Sequence, residues 1–347
     1  ISLILLNILV RKIFKKASYG LIAFVQLVGV LASLPHFGVR MQEFNFLFFI
    51  IELLIIEEYQ SQKRLKTLFY LPPLFYLWAN IHGSFLFGLA ILIIWLLIKI
   101  SERILFPSRL NKYFDFSNQI ENKKLKTFFI FSVFSFLLTL ITPYGQELYS
   151  FLRGYSNTFY LKAIQEWLPQ SAFPFNYWQL VYLAFSAAIL LIYFCSLKKL
   201  NFKKINFWHF SLAILLGISA FKSRRNFPLF FVSSVLLFIP LISSIFTAEQ
   251  IKKISLRKEL KYFLLFAVAL TAASNFLSIK FVNNPFNSFC SVYPCGAVNF
   301  LKSSGQYQGL NVFNEYNWGG YLIWTYPEKK LFIDGRLPQV EYKGQTF

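Results

Sequence analysis

The stretch GSFLFGLAILIIWLLIKI, from Gly83 to Ile100, decides the class of fold. Its one charged residue, Lys99, stands next to the last position. A hydrocarbon layer of roughly 30 Å takes about 20 helical residues to cross, and a helix apolar on every side belongs in a membrane or a large core. Working outward, similar runs fall at about 1–10, 17–34, 45–56, 67–79, 127–143, 177–197, 207–221, 227–247 and 262–279. The expected architecture is therefore an all-α polytopic membrane bundle of about ten transmembrane helices over residues 1–280, followed at 281–347 by a small C-terminal extracytoplasmic α/β segment. Several runs are short, and Pro72 and Pro73 interrupt one of them, so broken or tilted helices are expected where other helices cover the irregular backbone.

Composition agrees. The 347 residues are 56% hydrophobic and 14% charged, with 44 Phe, whereas soluble domains run at about 25% charged. A net charge of +20 would suggest nucleic acid in a soluble protein. Here the basic residues lie in short loops between apolar runs, which is an orientation signal, and no nucleic-acid partner is expected.

Alternate loops divide sharply. The set 11–16, 57–66, 101–126, 198–204 and 248–261 carries 22 Lys and Arg, while 35–44, 80–82, 144–176 and 222–226 carry 6. The positive-inside rule puts the first set in the cytoplasm, and residues from about 281 onward lie outside. The chain opens Ile-Ser-Leu-Ile without an initiator Met, Met41 is its one methionine, and it stops at Lys343-Gly344-Gln345-Thr346-Phe347. It reads as a fragment that begins within a helix and has a truncated tail.

The tail reads as a helix near 295–303, a β-like Leu310–Phe313, Gly319-Gly320 leading into Tyr321–Trp324, and a strand Leu331–Asp334. Cys290 and Cys295 flank Ser-Val-Tyr-Pro in a compartment that permits a disulfide; a bonded pair and two free thiols both fit. No His lies near them, so no metal site is expected there. Cys195, in an apolar run, reads as a small buried side chain.

Candidate site residues gather on the outer side. Lys222, Arg224 and Arg225 resist the charge bias of their loop, and a guanidinium fork suits phosphate oxygens; lipid headgroups are the competing explanation. Trp78-Ala79-Asn80-Ile81-His82-Gly83-Ser84 joins two runs with almost no loop, which offers Asn80 and His82 for binding or proton transfer or a tight helical hairpin. Arg40, beside Gln42 and Glu43, has the same two readings. Glu166 and Trp167 lie in the long loop 144–176, as an acceptor groove with Trp167 stacking on a sugar or as an interfacial helix with Ile164 and Leu168. Asp334 and Arg336 complete the set, as ligand groups or as a turn with an internal ion pair. Glu52 is the main ionisable residue inside a run, paired with another helix or close to the cytoplasmic interface. There is no Gly-rich phosphate loop, His-Glu-x-x-His or nucleophile elbow.

The string Asn314-Glu315-Tyr316-Asn317-Trp318-Gly319-Gly320-Tyr321-Leu322-Ile323-Trp324, followed by Phe332-Ile333-Asp334-Gly335-Arg336, resembles a group of uncharacterised bacterial multi-spanning membrane proteins. Trp78 to Ser84, Thr142-Pro143-Tyr144-Gly145, Glu166-Trp167 and Arg225-Asn226 resemble that group's motifs in the same order. The group is similar to the GT-C glycosyltransferase superfamily, which includes protein mannosyltransferases and aminoarabinose transferases. The resemblance implies a hexosyltransferase-type enzyme of the bacterial cytoplasmic (inner) membrane. Such an enzyme moves a sugar from a polyprenyl-phosphate carrier on the outer face, with membrane lipid and the lipid-linked donor as partners. In that family an acidic residue of the first outer loop serves as base or holds a divalent metal; no residue here matches it, and no metal ligand is assigned. The alternative is a non-enzymatic transporter or assembly factor for envelope polysaccharide.

Overall fold

The computed structural model describes residues 1–15, 19–37, 41–62, 64–105, 113–116, 120–156, 165–196, 205–245, 290–307, 309–334, 341–342 and 345–346. They form two compact units, 1–153 with 162–255 and 154–161 with 256–347.

The first unit is built from α1 (Ser2–Ile13), α2 (Tyr19–Ser33), α3 (Gln42–Gln62), α4 (Leu71–Ile81), α5 (Phe85–Leu105), α6 (Asn122–Leu138), α7 (Glu147–Ser156), α8 (Tyr177–Ser196), α9 (Phe207–Lys222) and α10 (Phe227–Ile245). Each apolar run from 1–10 to 227–247 falls on one of these helices; the run 262–279 lies outside the described residues. Among the described residues, four helical stretches are long and apolar enough to cross a membrane: Tyr19–His36, Phe85–Leu105, Tyr177–Cys195 and Arg224–Ser243. Phe207–Lys222 is apolar but shorter. α3 has 21 residues but carries Glu43, Glu52, Glu57 and Glu58.

Local sequence explains the irregularities. Leu65–Tyr70 is a tight 3-10 turn, and α4 begins directly after it. Pro72 and Pro73 therefore sit in the first turn of a helix, where a missing N–H costs no hydrogen bond. Asn206 caps α9 by accepting from the backbone N–H of His209 at 3.1 Å. Ser233 and Ser234 of α10 bond back to the carbonyls of Phe230 and Phe231. Of the four long stretches, the one along α10 is the most enclosed. Its Phe231 lies against Gly29 of α2, and Tyr182 of α8 bonds Ser234 at 2.7 Å.

Cross-links near the helix ends gather at two places, one beside the Lys/Arg-rich loops and one beside the Lys/Arg-poor loops. At the Lys/Arg-rich end, Phe114–Asp115 (β1) pairs in parallel with Ile205–Asn206 (β2). The Tyr59 hydroxyl donates to the Lys124 carbonyl at 2.8 Å. Trp208 and His209 both bond Glu57 Oε1 at 2.9 Å, and Lys99 reaches both oxygens of Glu102 at 2.9 Å. At the opposite end, Asn80, Gln170, Gln179, Arg224 and Arg225 make the cross-links described below.

Two interior expectations change. Glu52 is neither at a helix end nor paired: it lies mid-α3, fully buried, and neither carboxyl oxygen has a partner among the described residues. Cys195, one residue before the end of α8, is exposed rather than buried.

The second unit contains α11 (Cys295–Ser303), α12 (Gly319–Thr325) and an antiparallel pair, β3 (Glu341–Tyr342) and β4 (Gln345–Thr346). Cys290 and Cys295 are disulfide-bonded. The expected strands Leu310–Phe313 and Leu331–Asp334 shrink to a single parallel bridge, Val312 to Leu331. Asn314 explains why. Its side-chain amide donates to the Ile333 carbonyl at 2.7 Å, and its oxygen accepts from Phe332 N–H at 3.1 Å. A side chain thus occupies the backbone groups that a longer ladder would use. A Cβ on Gly319 would fall 2.7 Å from the Asp334 Cα, so only glycine permits this approach.

Candidate functional site

The tight joint between α4 and α5 fixes one wall of the site. α4 ends at Ile81, and His82 turns to extended backbone as its cap. Gly88 lets the Trp78 ring lie on α5, since a Cβ there would approach the ring to 2.6 Å. Trp78 Nε1–H then donates to Ser84 Oγ at 3.0 Å. That leaves the Ser84 hydroxyl hydrogen for His82 Nδ1, 2.7 Å away, which also accepts from Ser84 N–H at 3.1 Å. Nδ1 is thereby an acceptor, and the imidazole is the neutral tautomer with its hydrogen on Nε2. Electrostatics agree: burial, and then the charge of Arg225, lower the His82 pKa from its ordinary 6.5. Asn80 is committed to structure, its amide bonding the carbonyls of Tyr76 at 2.9 Å and Ile141 at 3.1 Å.

The facing wall is the 3-10 turn Arg224–Asn226 between α9 and α10. Its two arginines part ways. Arg224 is buried; its backbone N–H bonds the Leu168 carbonyl at 3.1 Å, and its guanidinium bonds the Ala172 carbonyl. It pins the loop 165–172. Arg225 points to that loop's short 3-10 turn, Gln165–Trp167. Its guanidinium stands over the Trp167 ring at 4.6 Å and reaches Glu166 Oε1 at 3.4 Å. Lys222 is exposed, so the three cations do not form one cluster. Of the stretch expected as an interfacial helix around Trp167, the described residues Gln165–Trp167 form this single turn and Ile164 lies outside the described residues.

A relay of amides locks the neighbouring helix ends. Gln170 Nε2 donates to Gln179 Oε1 at 2.5 Å, and Gln179 Nε2 donates to His36 Nε2 at 2.7 Å. Gln170 N–H also bonds the Phe221 carbonyl at 3.0 Å. Loop 165–172 is thus held to α8 and α9 rather than loose.

Within this locked frame several buried polar atoms have no partner among the described residues: Trp167 Nε1, Ser223 Oγ, Arg224 Nε, Thr142 Oγ1 and Gln170 Oε1. Buried polar groups normally have partners. Three of these atoms, Trp167 Nε1, Ser223 Oγ and Arg224 Nε, belong to the ring beneath Arg225 or to the two residues before it, and all three can donate. With Arg225 they make a donor-rich, positively charged group of side chains, chemistry that suits anionic oxygens.

Of the residues picked out from sequence, the structure brings together His82, Glu166, Trp167 and Arg225, assigns Asn80 and Arg224 to holding them, and leaves Arg40 and Arg336 outside the described residues. Asp334 belongs to the second unit, buried against Gly319. Sequence reading passed over Ser84 and Ser223; each stands beside a residue that drew attention, but neither has any signal of its own. Among the described residues no group of three His, Cys, Asp or Glu could hold a metal ion. No protein-family model, curated protein or solved structure matches this chain.

Proposed function

We propose that this chain is a multi-spanning membrane protein of about ten helices, placed in a bacterial inner membrane with its Lys/Arg-poor end outward, that binds a polyprenyl-phosphate-linked sugar there as a GT-C-like glycosyltransferase. The observation that carries the reading is the set of buried donors around Arg225 with no partner among the described residues, read here as an anion recess: Trp167 Nε1–H, Ser223 O–H and Arg224 Nε–H. A carrier phosphate supplies the acceptors these donors need, and Trp167 offers a ring face to the sugar. In the reaction an acceptor hydroxyl oxygen replaces the carrier phosphate at the sugar carbon with inversion; the phosphate leaves on its lipid and the hydroxyl proton passes to a base.

The test is binding of polyprenyl-phosphate-linked sugar to the full chain in nanodiscs. Arg225→Ala should weaken it at least tenfold, and Trp167→Phe, which keeps the ring and removes the N–H, should weaken it less. Unchanged binding in Arg225→Ala sinks the assignment.

One observation favours a second reading, a transporter. Glu52 is a fully buried, unpartnered carboxyl in mid-helix, and ionisable groups at such depth mark ion or proton paths. Proton uptake by proteoliposomes that disappears in Glu52→Gln would favour it over sugar transfer.

A further inference from the structure

α5 and α6 part along one face to leave a groove of about 790 Å³. Its walls are apolar, with Leu89, Ile93 and Leu97 of α5 facing Phe129, Val133 and Phe136 of α6. Polar side chains occur at Ser132, at Tyr149 by one mouth, and at Lys126 by the other. From Leu86 to Ile100 the α5 wall is about 21 Å long, and from Lys126 to Phe136 the α6 wall is about 15 Å, at 1.5 Å per residue. One leaflet of hydrocarbon is about 15 Å deep, half of roughly 30 Å. The groove therefore has the length of a single lipid chain.

The charge at its mouth selects among lipids. Lys126 is exposed and has no carboxylate partner among the described residues, whereas the nearby Lys124 pairs with Glu121 at 3.6 Å. Lys126 also belongs to the loop set rich in Lys and Arg, where an anionic leaflet is expected. We propose that this groove is a binding site for one anionic phospholipid, its phosphate on the Lys126 ammonium and an acyl chain laid between α5 and α6 as far as Phe136. The site is separate from the Arg225 recess and stands whether or not that recess binds a sugar carrier.

The test is native mass spectrometry of the full chain released from nanodiscs of equal phosphatidylglycerol and phosphatidylcholine. One retained lipid is expected, with phosphatidylglycerol preferred about fivefold, the contribution of a single lysine near a charged headgroup. Lys126→Glu, a surface change, should bring that preference to one or below while phosphatidylcholine is still retained. Ala90→Trp, which fills the groove, should remove retention of both lipids with helicity unchanged by circular dichroism. Equal retention of the two lipids by the unaltered chain, or an unchanged preference in Lys126→Glu, overturns the proposal. So does a photoreactive residue at position 133 that captures the 262–279 segment of this chain instead of lipid.

Discussion

Lys99 and Glu102 meet through both carboxylate oxygens at 2.9 Å, with 1% and 3% of their side chains exposed. Arg225 meets Glu166 through one oxygen at 3.4 Å, with 21% and 27% exposed. The first pair sits at the Lys/Arg-rich end of the first unit, beside Glu57 with its two donors Trp208 and His209. The second sits at the opposite end, near donors that have no partner among the described residues. One arrangement is buried and holds helices together, with His209 Nδ1 there also lacking a partner among the described residues. The other is open and has donors left over, so a pair that looks like a weak surface bridge is the better candidate for binding a ligand.

The largest effect expected is at the buried pair. Lys99→Met leaves Glu102 buried without its cation and should cost about 3–5 kcal/mol, read as a loss of stability in denaturant or thermal unfolding in detergent. The double change Lys99→Met, Glu102→Leu should recover most of that loss, since apolar replacement of a buried pair is often neutral. A small effect of Lys99→Met would erase the contrast between the two ends.

The two neighbouring arginines sharpen the contrast within a single turn. Arg224→Ala removes a buried guanidinium that holds the Ala172 carbonyl and should cost about 1.5–3 kcal/mol. Arg225→Ala removes a partly exposed, single-oxygen pair and should cost about 0–1 kcal/mol while it weakens carrier binding. Equal losses of stability from the two changes would show that Arg225 is as structural as its neighbour.

Much of this frame was legible in the sequence, and the reason is solvent. Apolar runs such as Gly83–Ile100 are long and apolar enough to cross hydrocarbon, where a helix satisfies its own backbone, so periodicity and turn chemistry are hardly needed. Loop charge also sorted residues as distant as Tyr59 and Lys124, or Glu166 and Arg225, to common ends. What could not be read was direction. Lys222, Arg224 and Arg225 look alike in sequence, yet the bond from Arg224 N–H to the Leu168 carbonyl turns one inward and the next outward. Glu52 was misplaced because its neighbours in sequence are near a helix end only if α3 stops at residue 56; it runs on to Gln62. In the tail, a single amide, Asn314, replaces ladder bonds that strand propensity had suggested.

The smallest effect tests whether Arg225 and His82 share one field. Burial and then Arg225 both push the His82 pKa below 6.5. The unfolded chain therefore takes up this proton at a higher pH than the folded one. Stability linked to His82 is unaffected well above 6.5, falls as pH drops through 6.5, and stops falling below the depressed folded pKa. Removing the Arg225 charge lifts one of the two causes, so Arg225→Ala should raise the His82 midpoint and narrow that window, while burial still holds it below 6.5. Titration of the ring by NMR reads this directly. A His82 midpoint unmoved by Arg225→Ala would separate the two walls electrostatically. The donors around Arg225 would then act on a ligand without the imidazole, and the recess would be an anion site alone rather than one with a neutral base beside it.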